Sequence, residues 1–92
     1  MTDQIATNAQ ITGRVQGVSF RAWTQAQAQA RGLMGWVQNE PDGTVTAWIE
    51  GPPAVVRDML KKLDDGPSVA RVDRVVSTEV APQGFETFKI RR

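Results

Sequence analysis

The chain of 92 residues contains neither cysteine nor histidine. Without cysteine it can form no disulfide bond and offers no thiolate ligand to a metal ion. Without histidine it lacks the usual general base of enzymes and the commonest zinc ligand. Any chemistry that this protein performs must therefore proceed without an imidazole or a thiol.

An excess of one charge and long hydrophobic runs are missing too. Eleven Lys and Arg residues face ten Asp and Glu residues, for a net charge of +1, and the cations are scattered along the chain. This balance argues against a nucleic-acid partner. The N-terminus shows no signal-peptide pattern and no hydrophobic run approaches the length of a membrane span, so no membrane partner is expected. These features predict a cytoplasmic protein, and nothing in the sequence demands more than a monomer.

Length and periodicity together predict the fold. We expect a single domain over residues 1–92, with 40% hydrophobic residues for one modest core and a loose lead-in over residues 1–5. The order strand, helix, strand, strand, helix, strand, with a further terminal strand, favours an α+β split β-α-β sandwich, an antiparallel sheet with two helices on one face. In that topology strands one and two run parallel, with strand three between them. The predicted strands cover residues 8–16, 33–39, 44–50, 69–80 and 85–92, and the predicted helices cover residues 20–31 and 54–63.

The segment 13–21, Gly-Arg-Val-Gln-Gly-Val-Ser-Phe-Arg, is the first candidate site. It predicts the end of a strand, a short glycine-containing loop and the first turn of a helix. Such a junction presents free backbone N–H groups and the positive end of a helix dipole to an anion, commonly phosphate. Arg21 adds a guanidinium that can hold two phosphate oxygens. From the loop alone, a plain turn at Gly17 with a solvated Arg21 fits equally well.

Asn39 is the second candidate. It ends the second predicted strand, immediately before the turn residues 40–43, Glu-Pro-Asp-Gly. Since strands one and two run parallel, Asn39 and the loop after strand one share an edge of the sheet, two strand spacings or about 10 Å apart. That gap suits a phosphate and one water. Asn39 equally fits a residue that only caps the turn.

The segments 13–21 and 35–43 together resemble the two signature segments of the acylphosphatases, and the resemblance extends over nearly the whole chain. It includes Thr24, Ala28, Gly32-Leu33, Glu50-Gly51 and Gly66-Pro67. The resemblance implies a ferredoxin-like fold and hydrolysis of the carboxyl–phosphate bond of a small-molecule acyl phosphate, with no metal or organic cofactor.

The same resemblance implies roles for individual residues. Arg21 would bind the phosphoryl group, and Asn39 would position the attacking water. The backbone cradle would comprise Val15, Gln16, Gly17, Val18, Ser19 and Phe20. Two positions depart from the family: Arg31 stands where an aliphatic residue is usual, which predicts a looser first helix or a surface-lying side chain, and Trp23 replaces another aromatic residue.

Two other classes of function remain to be weighed. Acylphosphatase-like modules occur inside larger carbamoyl-transfer proteins, where carbamoyl phosphate is the ligand. The same order of strands and helices occurs in RNA-recognition domains, which need exposed aromatic residues on the two central strands. Here strand one offers Gln10, Thr12 and Arg14 instead, and strand three offers only Trp48. The sequence therefore favours the enzyme over the RNA-binding module.

Overall fold

The computed structural model describes residues 3–92. The elements follow the predicted order. The strands are β1 Ile5–Arg14, β2 Met34–Asn39, β3 Val45–Gly51, β4 Arg71–Val80 and β5 Phe88–Arg91, and the helices are α1 Phe20–Ala30 and α2 Pro53–Asp65. The prediction of a loose lead-in over residues 1–5 is wrong at Ile5, which begins β1 and pairs with Gly51. Met1 and Thr2, which that prediction also included, lie outside the described residues.

The five strands form one sheet in the order β4-β1-β3-β2-β5. β3 pairs antiparallel with both β1 and β2. β1 and β2 therefore run parallel on either side of β3, as the sequence predicts, and their C-terminal ends share one edge. The fold is α+β with ferredoxin-like topology.

The prediction of a wholly antiparallel sheet is wrong at the last strand, because β5 pairs parallel with β2. The reason lies in where the chain leaves β4. β4 ends at Val80, which pairs with Ala6 at the end of the sheet where β1 begins. The segment 81–87 crosses that end of the sheet, and Phe88 enters β5 beside Gly35, near the start of β2. β5 must then run in the same direction as β2.

A single hydrophobic core joins both helices to one face of the sheet. β1 alternates between buried Ala9 and Ile11 and the exposed Gln10 and Thr12. The other buried members of the core come from the neighbouring strands, the loops and the helices: Val15, Phe20, Ala28, Leu33, Val37, Val45, Ala47, Ile49, Val56, Met59, Leu63 and Phe88. The alternation of period two in β1 thus decides which side of the sheet the helices cover. No helix within residues 3–92 is long and apolar enough to cross a membrane.

Gly13 marks a shift in the pairing between β1 and β4 shortly before the loop. The register between β1 and β4 shifts between Thr12 and Gly13, which is a β-bulge. Gly13 has φ +134°, and a Cβ atom there would overlap the carbonyl oxygen of Arg71. Only glycine fits this close approach of two backbones. The pairing resumes in the new register at Gly13 and Arg14, and the segment 15–19 follows.

Glu50 anchors the crossing segment 81–87 at the end of the sheet where β1 begins, since Glu50 pairs with Ala6 there. Its side chain is buried, with 4% of the residue exposed. Trp48 Nε1 donates to Glu50 Oε2 at 2.8 Å, and the backbone N–H groups of Gln83, Gly84 and Phe85 donate to the same carboxylate at 2.5, 3.1 and 3.2 Å. Desolvation by burial raises the pKa of Glu50, but these donors outweigh it, and the net effect lowers the pKa.

Arg31 does more than lie along the surface. Its Nε donates to Asp58 Oδ2 at 2.9 Å, so that it bridges the end of α1 to α2. Nη1 of Arg31 also donates to the carbonyl and side-chain oxygens of Gln27, at 3.0 and 2.8 Å. The sequence expectation of a loosened helix is not supported by these contacts. Trp23 is half-buried and packs on Phe20 with ring centroids 5.5 Å apart.

Candidate active site

The loop between β1 and α1 contains a run of backbone N–H groups that have no acceptor within residues 3–92. Gly17 and Ser19 both adopt left-handed conformations, with φ 73° and 61°. Within the described residues 3–92, the N–H groups of residues 16–20 make no hydrogen bond to a backbone or side-chain acceptor. Ser19 stands at the N-cap of α1 without a side-chain capping bond. The loop therefore offers unpaired donors at the positive end of a helix, which is the arrangement that binds anions.

A surface cavity of about 360 Å³ opens beside these donors. Its walls come from the loop, the first turn of α1, the end of β2 and the end of β5. The lining residues are Val15, Gly17, Ser19, Phe20, Arg21, Ala22, Asn39, Ile90 and Arg92. The structure thus brings Arg21 and Asn39 into one cavity, together with four of the six predicted loop residues. Gln16 and Val18 do not line it.

Arg21 lies in the first turn of α1, and β5 orients its guanidinium. Nη1 of Arg21 donates to the carbonyl oxygen of Arg91 at 3.3 Å. A guanidinium carries five N–H donors, and within residues 3–92 this is the one side-chain bond that Arg21 makes. The remaining donors are available to an anion in the cavity.

Asn39 is the last residue of β2, on the same face of the sheet as the buried Val37. Its Oδ1 atom is buried and has no hydrogen-bond partner within the described residues. A buried acceptor left unpaired costs about 1–3 kcal/mol, so such a group in a folded protein calls for an explanation. The turn that follows is capped by another residue: Asp42 Oδ1 accepts from the N and Oγ1 of Thr44 at 3.0 and 2.7 Å. Asn39 Oδ1 therefore does not cap the turn.

Gln16 ties the two candidate segments together, a contact that sequence reasoning missed. Its Nε2 donates to the carbonyl oxygens of Glu40 and Thr44, each at 2.8 Å. These acceptors flank the turn directly after Asn39. The side chain of Gln16 thus fixes the loop relative to the end of β2. The sequence predicted Gln16 only as a backbone donor, and its glutamine side chain was the available signal.

Sequence reasoning also missed the wall of the cavity that β5 forms. Ile90 pairs with Val37 in parallel register and brings the end of β5 beside Asn39. This wall supplies Ile90, Arg92 and the Arg91 carbonyl. Since β5 was predicted as a strand without a known neighbour, nothing in the sequence placed these residues near Arg21.

The residues that line the cavity include Arg21 and Arg92 and no Asp or Glu residue. Groups of three or more Asp, Glu, His or Cys side chains that could hold a metal ion are absent from the part of the chain that the structure describes. With unpaired N–H donors, the guanidinium of Arg21 and one unpartnered amide oxygen, the arrangement can bind an anion and accept a hydrogen bond from a water beside it.

Fold and cavity together define a two-layer α+β protein with an anion-compatible loop at the N-terminus of α1. The family model described as acylphosphatase matches residues 7–90. An acylphosphatase of Mesorhizobium japonicum is 48% identical over 84 residues, which cover 87% of this chain and 89% of that protein. The chain belongs to the acylphosphatase family, a family of hydrolases.

Solved structures agree with this assignment. The crystal structure of an acylphosphatase from Bacillus subtilis superposes with a TM-score of 0.93 at 32% identity, covering 96% of this chain and 99% of that one. Full-length HypF, in a phosphate- and nucleotide-bound form, matches with a TM-score of 0.90 at 25% identity. That match covers all of this chain but only 12% of HypF.

Proposed function

We propose that this protein is an acylphosphatase that hydrolyses the carboxyl–phosphate bond of small-molecule acyl phosphates to a carboxylate and inorganic phosphate. One observation carries the proposal: Asn39 Oδ1, buried without a partner, and the Arg21 guanidinium line the same cavity. Membership of the acylphosphatase family supports it.

The phosphoryl group is held by the loop and by Arg21. Unpaired N–H groups in residues 16–20 and the dipole of α1 face negative oxygens. The guanidinium of Arg21 grips two of those oxygens, with its orientation set by the Arg91 carbonyl. Phosphoryl transfer depends mainly on positioning and on stabilising charge on these oxygens, so this set of donors supplies the principal catalytic effect.

Water attacks phosphorus from a position beside Asn39. Asn39 Oδ1 accepts a hydrogen bond from the water. This bond orients a lone pair of the water oxygen toward the phosphorus. An amide is too weak a base to take the proton. A phosphoryl oxygen of the substrate accepts it as the new P–O bond forms and the bond to the acyl oxygen breaks.

The departing group needs no general acid. The leaving group is a carboxylate, and its conjugate acid has a pKa of about 4. It therefore departs without being protonated. The donors of the loop and Arg21 balance the charge of the phosphoryl group, and we propose that no metal or organic cofactor takes part. A chain without histidine or cysteine can therefore catalyse this reaction.

Benzoyl phosphate tests the function directly. We expect benzoate and phosphate in equal amounts, a rate unchanged by EDTA, and competitive inhibition by inorganic phosphate, since product and substrate occupy the same donors. No release of phosphate would overturn the proposed activity. Activity that EDTA abolishes and a divalent ion restores would overturn the cofactor-free mechanism.

The match to HypF favours testing one second substrate. Carbamoyl phosphate contains the same carboxyl–phosphate linkage, and the module in carbamoyl-transfer proteins has it as ligand. Because identity is 48% to the Mesorhizobium acylphosphatase and 25% to HypF, we expect benzoyl phosphate to be hydrolysed with the higher kcat/KM. The reverse order would favour the carbamoyl-phosphate role.

The face of the sheet that the helices leave open gives an RNA-binding role less support than the cavity gives the acylphosphatase activity. Trp48 stacks on Trp36 at 6.2 Å between ring centroids, and Phe85 meets Trp48 edge-on at 6.3 Å. Arg91 covers Trp36 at 4.4 Å from the ring centroid. These rings contact one another and a cation, so they present little free surface on which a base could stack. We therefore keep the prediction of no nucleic-acid partner, and monomeric state and cytoplasmic location also stay predictions.

A further inference from the structure

Two side chains of α1 bind the backbone of β5. Nη1 of Arg21 donates to the carbonyl oxygen of Arg91 at 3.3 Å, and Nε2 of Gln25 donates to the carbonyl oxygen of Phe88 at 3.1 Å. Arg21 and Gln25 occupy positions i and i+4, so their side chains are neighbours on one face of the helix. Within residues 3–92, these are the side-chain hydrogen bonds that join α1 to β5. The proposed mechanism uses Arg21 and assigns no role to Gln25.

β5 is a short strand at the edge of the sheet. It comprises the four residues Phe88–Arg91 and lies last in the strand order, beside β2. Parallel pairing with β2 and the burial of the Phe88 side chain hold it to the sheet. Gln25 adds a bond from the helix to the backbone of Phe88, and so fixes the start of β5 against α1.

The bond between Arg21 and the Arg91 carbonyl is sensitive to the position of β5. Its length of 3.3 Å lies above the range of about 2.7–3.2 Å that is usual for N–H···O bonds, so a small displacement breaks it. The bond from Gln25 to Phe88, at 3.1 Å, lies within that range. Because Phe88 and Arg91 are the two ends of one short strand, a displacement at Phe88 also moves the Arg91 carbonyl. Gln25 therefore influences the acceptor that orients the guanidinium of Arg21.

We propose that Gln25 is a positioning residue for phosphoryl binding: it holds β5 at Phe88, so that the Arg91 carbonyl stays in place to orient Arg21. The inference rests on the proposed function. Gln25 does not line the cavity, so it acts on the substrate through β5 and Arg21. The steps of the reaction and the path of the proton are unchanged.

Gln25→Met tests this role, because methionine keeps an unbranched side chain and cannot donate a hydrogen bond. We expect kcat/KM for benzoyl phosphate to fall about three- to tenfold, the effect of one lost hydrogen bond of ordinary strength. Inhibition by inorganic phosphate should weaken by a similar factor, since Arg21 binds the same oxygens. Gln29→Met is the matched control, because Gln29 lies one turn farther along α1, exposed and outside the cavity. It should keep the parental kinetics and inhibition.

Gln25→Lys tests whether the donor is what matters. An ammonium on a flexible stem can still donate to the Phe88 carbonyl, so kcat/KM and phosphate inhibition should return to within about twofold of the parent. Gln29→Lys adds the same charge to α1 without that contact, and so measures the effect of charge alone.

A bond that only stabilises the fold would change the melting temperature and leave the kinetics of the folded protein alone. Parental kcat/KM and parental phosphate inhibition in Gln25→Met would therefore overturn the inference. Equal losses in Gln25→Met and Gln29→Met, or a loss that Gln25→Lys does not reverse, would overturn it too. All of these results leave hydrolysis by the parent, and so the proposed function, intact. Failure of the parent to hydrolyse benzoyl phosphate would overturn both.

Discussion

The backbone carbonyl of Arg91 accepts a hydrogen bond from Nη1 of Arg21 at 3.3 Å, across 70 positions of the sequence. The side chain of the same Arg91 lies over the ring of Trp36 on the opposite face of the sheet. One residue of β5 therefore contacts the candidate site through its backbone and the open face of the sheet through its side chain. The position of β5 against β2 sets the orientation of Arg21.

Arg91→Gln tests whether the contact with Trp36 secures β5. The substitution keeps the backbone carbonyl and removes the cation from the ring, an interaction that contributes about 0.5–1 kcal/mol at exposed sites. We expect a fall in the free energy of unfolding of that size in urea, and a modest fall in kcat/KM for benzoyl phosphate. Lys89→Gln, on the same face of β5, is the control and should change neither. Equal effects of the two variants would show that the Trp36 contact is not special.

Arg21→Lys separates the geometry of the guanidinium from its charge. Lysine keeps the positive charge but offers a compact ammonium, which cannot hold two phosphoryl oxygens in a planar fork. We expect kcat/KM for benzoyl phosphate to fall severely, on the order of a hundredfold or more, and phosphate to inhibit more weakly. Both residues suit the first turn of a helix, so the melting temperature should change little.

Arg14→Lys is the matched control, because Arg14 ends β1 at an exposed position outside the cavity. It should retain parental kinetics. Should Arg21→Lys keep most of its kcat/KM, a positive charge alone suffices and the bidentate grip is wrong. Should it melt far below the parent, Arg21 is chiefly a structural residue.

Glu50 makes folding stability depend on pH in the acid range. Its pKa in the folded protein lies below its ordinary value of about 4.5, because four N–H donors outweigh the desolvation of the buried carboxylate. The folded state thus binds this proton less readily than the unfolded chain. The stabilisation is complete above about pH 4.5 and is lost as pH falls through the lower, folded pKa.

Urea titrations of the parent and Glu50→Gln should show this effect. A neutral amide weakens the bonds from Gln83, Gly84 and Phe85 and cannot accept with both ends, so we expect a loss of about 1–3 kcal/mol at neutral pH. The difference between the two proteins should narrow as pH drops below 4. Glu79→Gln, at an exposed position on β4, is the control with little effect. A difference that is constant from pH 7 to pH 3 would contradict the role of the ionised carboxylate.

The sequence predicted the elements well where local pattern decides them. Alternation of period two predicts the first strand, and in the structure the Ala9 and Ile11 face of β1 is the one buried in the core. Local pattern does not determine which strands pair with each other. The parallel pairing of β5 with β2 depends on the path of residues 81–87 across the sheet, and on the anchoring of that path by Glu50. No local pattern specifies such a path.

In the candidate site, too, the sequence revealed residues within local motifs but not contacts between distant segments. Arg21 directly follows a recognisable glycine-containing loop and Asn39 directly precedes a recognisable turn, so the sequence pointed to both, and the topology brings them to one cavity. Gln16 bonds to carbonyls 24 and 28 positions away, and Arg91 to a side chain 70 positions away. Contacts at such separations follow from tertiary packing, and the residue types alone do not reveal them.

Asn39→Ala is the most direct test of the water-positioning role. Asn39 Oδ1 is buried and makes no hydrogen bond within the described residues, so its removal breaks no bond that holds the fold. Loss of an unpaired buried acceptor is expected to leave the melting temperature unchanged or slightly raised. The proposed bond to water is made in the reaction, so kcat should fall by about 10²–10³ with little change in KM.

Gln38→Ala provides the matched control for Asn39→Ala. Gln38 precedes Asn39 on the same strand, carries the longer amide and donates to Glu40 Oε2 at 2.8 Å, outside the cavity. Its loss should leave kcat within about twofold of the parent, since most surface changes have small effects. Steady-state kinetics with benzoyl phosphate and a thermal melt of each variant distinguish the roles. Near-parental kcat in a folded Asn39→Ala protein would mean that the water is oriented by another group. A large drop in melting temperature would instead make Asn39 a structural residue, and the unpaired oxygen would no longer support the mechanism.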